Sequence, residues 1–223
     1  MKAARIHRFG SPEVIVIDHV QTPTPGPGEL LVRVAAAGVG NWDALIREQK
    51  SVVSSPLPLT LGSDLSGVVE STGAGVAEFK PGEKVFGVAN PQFIGAYAEY
   101  AVASAEMVAR KPKGLSFVEA ASVPVVAVTA WQMLFDYAQA QSGQAVLIHG
   151  AAGNVGAYAV QLAKHAGLQV FATNTIAKLF DSGRLACQVG TVLPLEQARR
   201  AHEMLAGAPH KRGKIVLRIG NGT

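Results

Sequence analysis

The first half of the chain alternates apolar and polar residues, or gathers them in short apolar runs rich in Val and Ile. Val14–Val20 and Leu30–Ala37 read as strands on this pattern. Pro23, Pro25 and Pro27 lie between them and forbid helix and central strand alike, so Thr22–Glu29 is a surface loop. Val68–Ser71, Lys84–Gly87, Tyr97–Ala103 and Met107–Arg110 read as further short strands between Gly and Pro. Short strands with frequent turns over residues 1–111 predict a barrel or sandwich.

The period changes near Ser116. Ser122 and Pro124 form a helix start, and Val125–Ala138 is expected to follow as a helix. Ala145–His149 is a compact apolar strand. Asn154–Ala166 places Val155, Ala159, Leu162 and Ala166 on one helical face, with Gly167 as the stop. Gln169–Thr173 is a second strand, so residues 145–173 read as a βαβ unit. Beyond it, Thr175–Asp181 and Pro194–Ala206 read as helices and Ile215–Arg218 as a last strand. There is no internal repeat.

Composition narrows the class. The 223 residues are 48% hydrophobic and 16% charged, which is globular. The net charge of +4 is too small and too scattered to argue for nucleic acid. One cysteine, Cys187, makes neither an internal disulfide nor a cysteine-based zinc cluster, and suits a reducing cytoplasm. Met1–Gly10 carries Lys2, Arg5 and Arg8 and has no apolar core, unlike a signal peptide. The apolar stretch Val123–Trp131 is too short to span a bilayer, so no membrane partner is expected.

The clearest chemical signal is Gly150-Ala151-Ala152-Gly153-Asn154-Val155-Gly156, between a strand and a helix. Glycines there permit a sharp turn and close approach of backbone to a pyrophosphate. The helix start adds free N–H groups and a positive dipole end. Gly150, Gly153, Asn154, Val155 and Gly156 are therefore candidate cofactor residues; the competing reading is a tight turn with no ligand. The second strand ends in Thr173 and Asn174, with Lys178 following, where an NAD site would place a carboxylate. Hydroxyl, amide and cation suit the 2′-phosphate of NADPH better, although Lys178 reads equally as a solvated helix residue.

Several segments, in order along almost the whole chain, resemble one family. Gly62-Ser63-Asp64-Leu65-Ser66-Gly67-Val68-Val69, Lys80-Pro81-Gly82-Glu83-Lys84-Val85, Gly95-Ala96-Tyr97-Ala98-Glu99-Tyr100, Thr129-Ala130-Trp131-Gln132, the glycine turn and Gly213-Lys214-Ile215-Val216-Leu217 are similar to motifs of the medium-chain dehydrogenase/reductases. The resemblance implies an α/β protein with a β-rich part: a GroES-like barrel over residues 1–122 and 186–223, and a Rossmann-type dinucleotide domain over 123–185. It also implies hydride transfer from NADPH to a quinone or activated enone, with Thr129 near the cofactor. Asn41 and Asp43 fall where quinone reductases of the family line the substrate and nicotinamide pocket. Many relatives read G-V-N-x-x-D, which places their Asn on Gly40, and Asn41 reads equally as a helix N-cap. Trp42 reads as core or pocket wall. Zinc-dependent members carry a Cys in the segment matching Gly38–Asp43 and a His where Ser63 stands, so no metal is expected.

One departure qualifies that expectation. A doubly wound domain has about six strands at roughly 30 residues per βαβ step, so about a hundred residues are absent after Thr173. Two strands make a poor independent core and leave unpaired edges, which predicts a homodimer, a swapped oligomer or a remnant docked on the barrel. It also keeps open a second reading, a non-enzymatic scaffold that retains ancestral motifs.

Overall fold

The computed structural model describes residues 1–51, 56–172 and 189–220. The chain divides into two compact units, Met1–Pro124 with Val189–Thr223, and Val125–Gln188.

The first unit is built around one long strand. Its elements are β1 (Lys2–Ile6), β2 (Ile15–His19), β3 (Glu29–Val39), α1 (Asn41–Arg47), β4 (Leu59–Thr60), β5 (Asp64–Thr72), β6 (Lys84–Val88), β7 (Tyr100–Ser104), β8 (Val108–Arg110), α2 (Phe117–Ala121), β11 (Val189–Pro194), α5 (Ala198–Leu205) and β12 (Lys214–Arg218). The larger sheet runs β11-β12-β3-β5-β6-β8, and the smaller β2-β1-β4. Along one edge of β3, Glu29–Arg33 pair with β7 and Ala36–Val39 with β12; β5 takes the other edge. Eleven residues are needed because one strand serves three partners.

The segment before β7 joins the sheets. Ala4 N–H donates to Tyr97 O, Glu99 N–H to Lys2 O, and Val34 N–H to Glu99 O. Ala4, Ile6, Val32, Leu61, Leu65, Leu217 and Ile219 fill the space enclosed, which is the barrel-like core anticipated from the alternation.

Several elements of this unit add to or differ from the sequence expectation. A strand the sequence did not signal, β11, precedes the helix expected from Pro194 and ends on that residue; it is parallel to β12 and bulged at Gly190, and after a 3-10 turn at Leu195–Gln197 the expected helix follows as α5. α2 is a short helix closed by a capping box: Ser116 Oγ accepts from Glu119 N–H, and Glu119 Oε2 accepts from Ser116 N–H. At α1 the N-cap is Gly40 and not Asn41, which is the first helical residue. Asp43 Oδ2 supplies the cap by accepting from Gly40 N–H at 2.7 Å.

The second unit contains α3 (Pro124–Trp131), a wider π-turn at Gln132–Tyr137, β9 (Ala145–Ile148), α4 (Asn154–His165) and β10 (Gln169–Ala172). The expected helix to Ala138 is thus α-helical only to Trp131, and Ala138 N–H donates five residues back, to Met133 O. β9 and β10 are parallel, and among the described residues they pair only with each other. Leu147 and Phe171 are register partners on the open face and are 58% and 60% exposed. No helix among the described residues is long and apolar enough to cross a membrane.

Candidate functional site

In the first unit, a buried polar cluster forms where β3 runs into α1. Asp43 is fully buried. Its Oδ2 takes the Gly40 N–H and, at 3.0 Å, the Tyr97 hydroxyl, whereas Oδ1 has no partner among the described residues. Burial raises the Asp43 pKa to about 7; the Gly40 bond, Lys214 and Tyr97 oppose the shift, and Asp64 adds to it. Burial also holds the Tyr97 hydroxyl well above its ordinary range, with Asp43 contributing.

Beside it lies an ion pair. Lys214 Nζ donates to Asp64 Oδ2 at 3.0 Å, and both side chains are buried. The same ammonium sits 4.2 Å from the centroid of the Trp42 ring. Trp42 Nε1–H donates to Ser63 Oγ at 2.5 Å. The indole is therefore fixed at its edge by a hydroxyl and at its ring by a cation. Asn41 and Leu45 are exposed on the same turn of α1, and Asp43 points inward.

The other side of Tyr97 meets α5. His202 packs edge-on to Tyr97 with ring centroids 6.1 Å apart, and its Nδ1 accepts from Arg47 Nε–H at 3.1 Å. Burial and the Arg47 charge hold the His202 pKa down at about 3, so the ring is neutral. Arg47 is itself buried and reaches Gly10 O and Glu48.

In the second unit, β9 ends at the glycine turn. Gly150 has φ +67, a left-handed conformation that suits glycine. A Cβ on Gly156 would lie 2.2 Å from Gly150 O, so α4 can start this close to the turn only with glycine there. Gly153 is the N-cap and provides no side-chain cap. The first-turn N–H groups of α4 thus start beside an exposed Gly153 and Asn154. Thr129 Oγ donates to Val125 O, one turn back in α3. Thr173, Asn174 and Lys178 lie outside the described residues, as do the expected helix Thr175–Asp181 and Cys187.

Asn41, Asp43, Thr129, Thr173, Asn174, Lys178 and the glycine turn are legible in the sequence as candidates. Ser63, Asp64, Tyr97, Lys214, Arg47 and His202 carry polar chemistry in the structure that the sequence does not announce. A lysine at the head of an apolar strand, Lys214-Ile215-Val216-Leu217, was the available signal for one of them. Nothing local marks the Tyr97–Asp43 pairing, which joins residues 54 apart.

Comparison with known proteins gives matches over most of the chain. Residues 26–113 match the alcohol dehydrogenase GroES-like domain, and residues 99–217 match the zinc-binding dehydrogenase family. A quinone oxidoreductase of Sus scrofa is 39% identical over 78% of this chain and 52% of its own length. A 2-methylene-furan-3-one reductase of Solanum lycopersicum is 33% identical over 100% of this chain and 58% of its own. The quinone oxidoreductase structure from Coxiella burnetii superimposes with a TM-score of 0.84 at 25% identity, covering 98% of this chain and 99% of that one. The chain spans about half the length of the curated relatives it matches. With these matches following the same order as the motifs, the chain belongs to the medium-chain dehydrogenase/reductase superfamily, as a relative of the quinone oxidoreductases.

Proposed function

We propose that this chain is an NADPH-dependent oxidoreductase of quinone-reductase type, acting on a quinone or activated enone without a metal. The observation that carries the reading is the glycine turn, with Gly150 in a left-handed conformation, Gly156 too close for a side chain, and the start of α4 exposed. These features fit a pyrophosphate. Gly150, Gly153, Asn154, Val155 and Gly156 would hold it, with Thr129, Thr173, Asn174 and Lys178 assigned to the remainder of NADPH. When bound, the nicotinamide supplies the hydride.

The barrel's own residues prepare the pocket. Asn41 presents its amide from the exposed first turn of α1. Asp43, which does not reach the surface, positions that turn by capping it from below. The donors do not fit a zinc ion: Ser63 Oγ is engaged by Trp42, Asp64 by Lys214, and no group of three His, Cys, Asp or Glu among the described residues could hold a metal. A cytoplasmic location belongs to the same reading.

The alternative, a non-enzymatic scaffold, is favoured by one observation: the described part of the second unit has two strands where a dinucleotide domain has about six. Calorimetric titration of NADPH, with NADH as control, separates the readings. Micromolar binding with NADPH preferred, lost in Gly156→Val and followed by quinone turnover in the parent chain, supports the reductase. No heat at millimolar cofactor refutes it and leaves the scaffold.

A further inference from the structure

The first unit contains a feature that the reductase reading does not use. β11 and β12 are parallel and joined through α5, so this edge of the barrel sheet is itself a small βαβ unit. Ligands of parallel sheets bind beyond the carboxyl ends of the strands, where the loops diverge. Those ends are here Pro194 and Arg218, which are register partners. Beyond them lies a cavity of about 540 Å³. That volume is within the roughly 300–1,000 Å³ of small-molecule sites.

Its walls have an uneven charge. Val192, Leu193 and Pro194 offer apolar surface, and Lys2, Glu196 and Arg218 stand around it. Lys2 and Glu196 satisfy one another at 3.0 Å. A further carboxylate, Glu99, already accepts the Lys2 backbone N–H at 2.7 Å. Arg218 has no carboxylate partner among the described residues, and its side chain is exposed. An unpaired guanidinium beside apolar surface is a receptor for a planar anion with an apolar body, because its donor fork matches both carboxylate oxygens. Glu99 and Glu196 nearby disfavour a dianion such as a phosphate monoester.

We propose that the cavity at the carboxyl ends of β11 and β12 binds a small apolar monocarboxylate through Arg218. The site draws on none of the glycine-turn residues, which belong to the other unit. It is also separate from the Asp64–Lys214 cluster: Lys214 opens β12 and Arg218 closes it, roughly 13 Å along the strand. The proposal does not depend on the reductase reading, and an occupant here would be a regulator or a second ligand.

The test is an NMR titration of the full, 15N-labelled chain with phenylacetate, using phenylacetamide as neutral control and phenyl phosphate as dianion. Saturable shifts at the amides of Val192, Leu193, Leu195 and Glu196 and of residues 218–220 are expected, with a dissociation constant on the order of 1 mM. Arg218→Gln should weaken phenylacetate at least tenfold. Pro194→Glu should do the same with Arg218 intact, since it places a carboxylate directly across the strands from the guanidinium. Absence of shifts at these amides up to about 20 mM overturns the proposal. So does binding of phenylacetamide or phenyl phosphate as tight as phenylacetate, or undiminished binding by both variants.

Discussion

Asp43 makes stability depend on pH in a direction opposite to that of an ordinary salt-bridged carboxylate. Its pKa is about 7 in the folded chain against an ordinary value of 3.8, chiefly because the group is buried. The folded state therefore holds a proton that the unfolded state releases between about pH 4 and pH 7. The contribution of the group is fully present below about pH 4, declines as pH rises through that window, and levels off above about pH 7. A shift of about three units corresponds to about 4 kcal/mol, an upper bound that is large against the 5–15 kcal/mol of a typical domain. Asp43→Asn keeps an oxygen for the Gly40 and Tyr97 donors and removes the titration. Urea unfolding at pH 5 and pH 8, followed by Trp42 emission in a Trp131→Phe background, reports on the first unit. Other titrating groups cancel in the comparison of the two chains. About 1.7 kcal/mol of the Asp43 contribution is already lost at pH 5, so Asp43→Asn should gain about 2.5 kcal/mol relative to the parent on going from pH 5 to pH 8. Equal differences at both pH values would refute the reasoning, and would mean that Lys214 and the backbone cap keep the carboxylate ionised despite its burial.

Further expectations follow from particular contacts. Lys214→Met leaves Asp64 buried without its ammonium and should cost about 3–5 kcal/mol by denaturant unfolding; Lys214→Met with Asp64→Leu should recover most of it. Ser116→Ala removes one half of the α2 capping box and should cost about 1 kcal/mol, measured in the same way. The open pair Leu147 and Phe171 should drive association, so light scattering during size-exclusion chromatography should show a dimer or larger species that Phe171→Glu reduces. A dilution-stable monomer would count against swapping and edge pairing alike.

The parts of the fold that could be read from the sequence are those with one clean period. β3 is long and rich in branched residues, and of β5 the part Val68–Ser71 is legible. The strand-turn-helix at Ala145–His165 carries its punctuation in its glycines. α1 was harder to see because its buried side is Asp43, Ile46 and Arg47, two of which are charged, so no apolar stripe marks it. β11 was hidden by Gly190 and by its half-buried place at the sheet edge, where local composition decides little. The site was legible to the same degree. Backbone chemistry at the turn follows from local sequence, but the Asp43–Tyr97 and Asp64–Lys214 partnerships exist only because β3, β5 and β12 meet. A charged residue in an apolar strand signals that it has a partner without naming it.

The three-way use of β3 has a consequence for biosynthesis. Glu29–Arg33 find β7 soon after they leave the ribosome, whereas Ala36–Val39 must wait for Ile215–Arg218. At about 5–20 residues per second that wait lasts on the order of ten to thirty seconds. Throughout it, half an edge of the central strand, with its unpaired amides and the pocket segment behind it, is open to any other extended chain. The barrel cannot close during translation until β12 has been made, and a nascent chain stalled before that point presents the edge to chaperones or to aggregation.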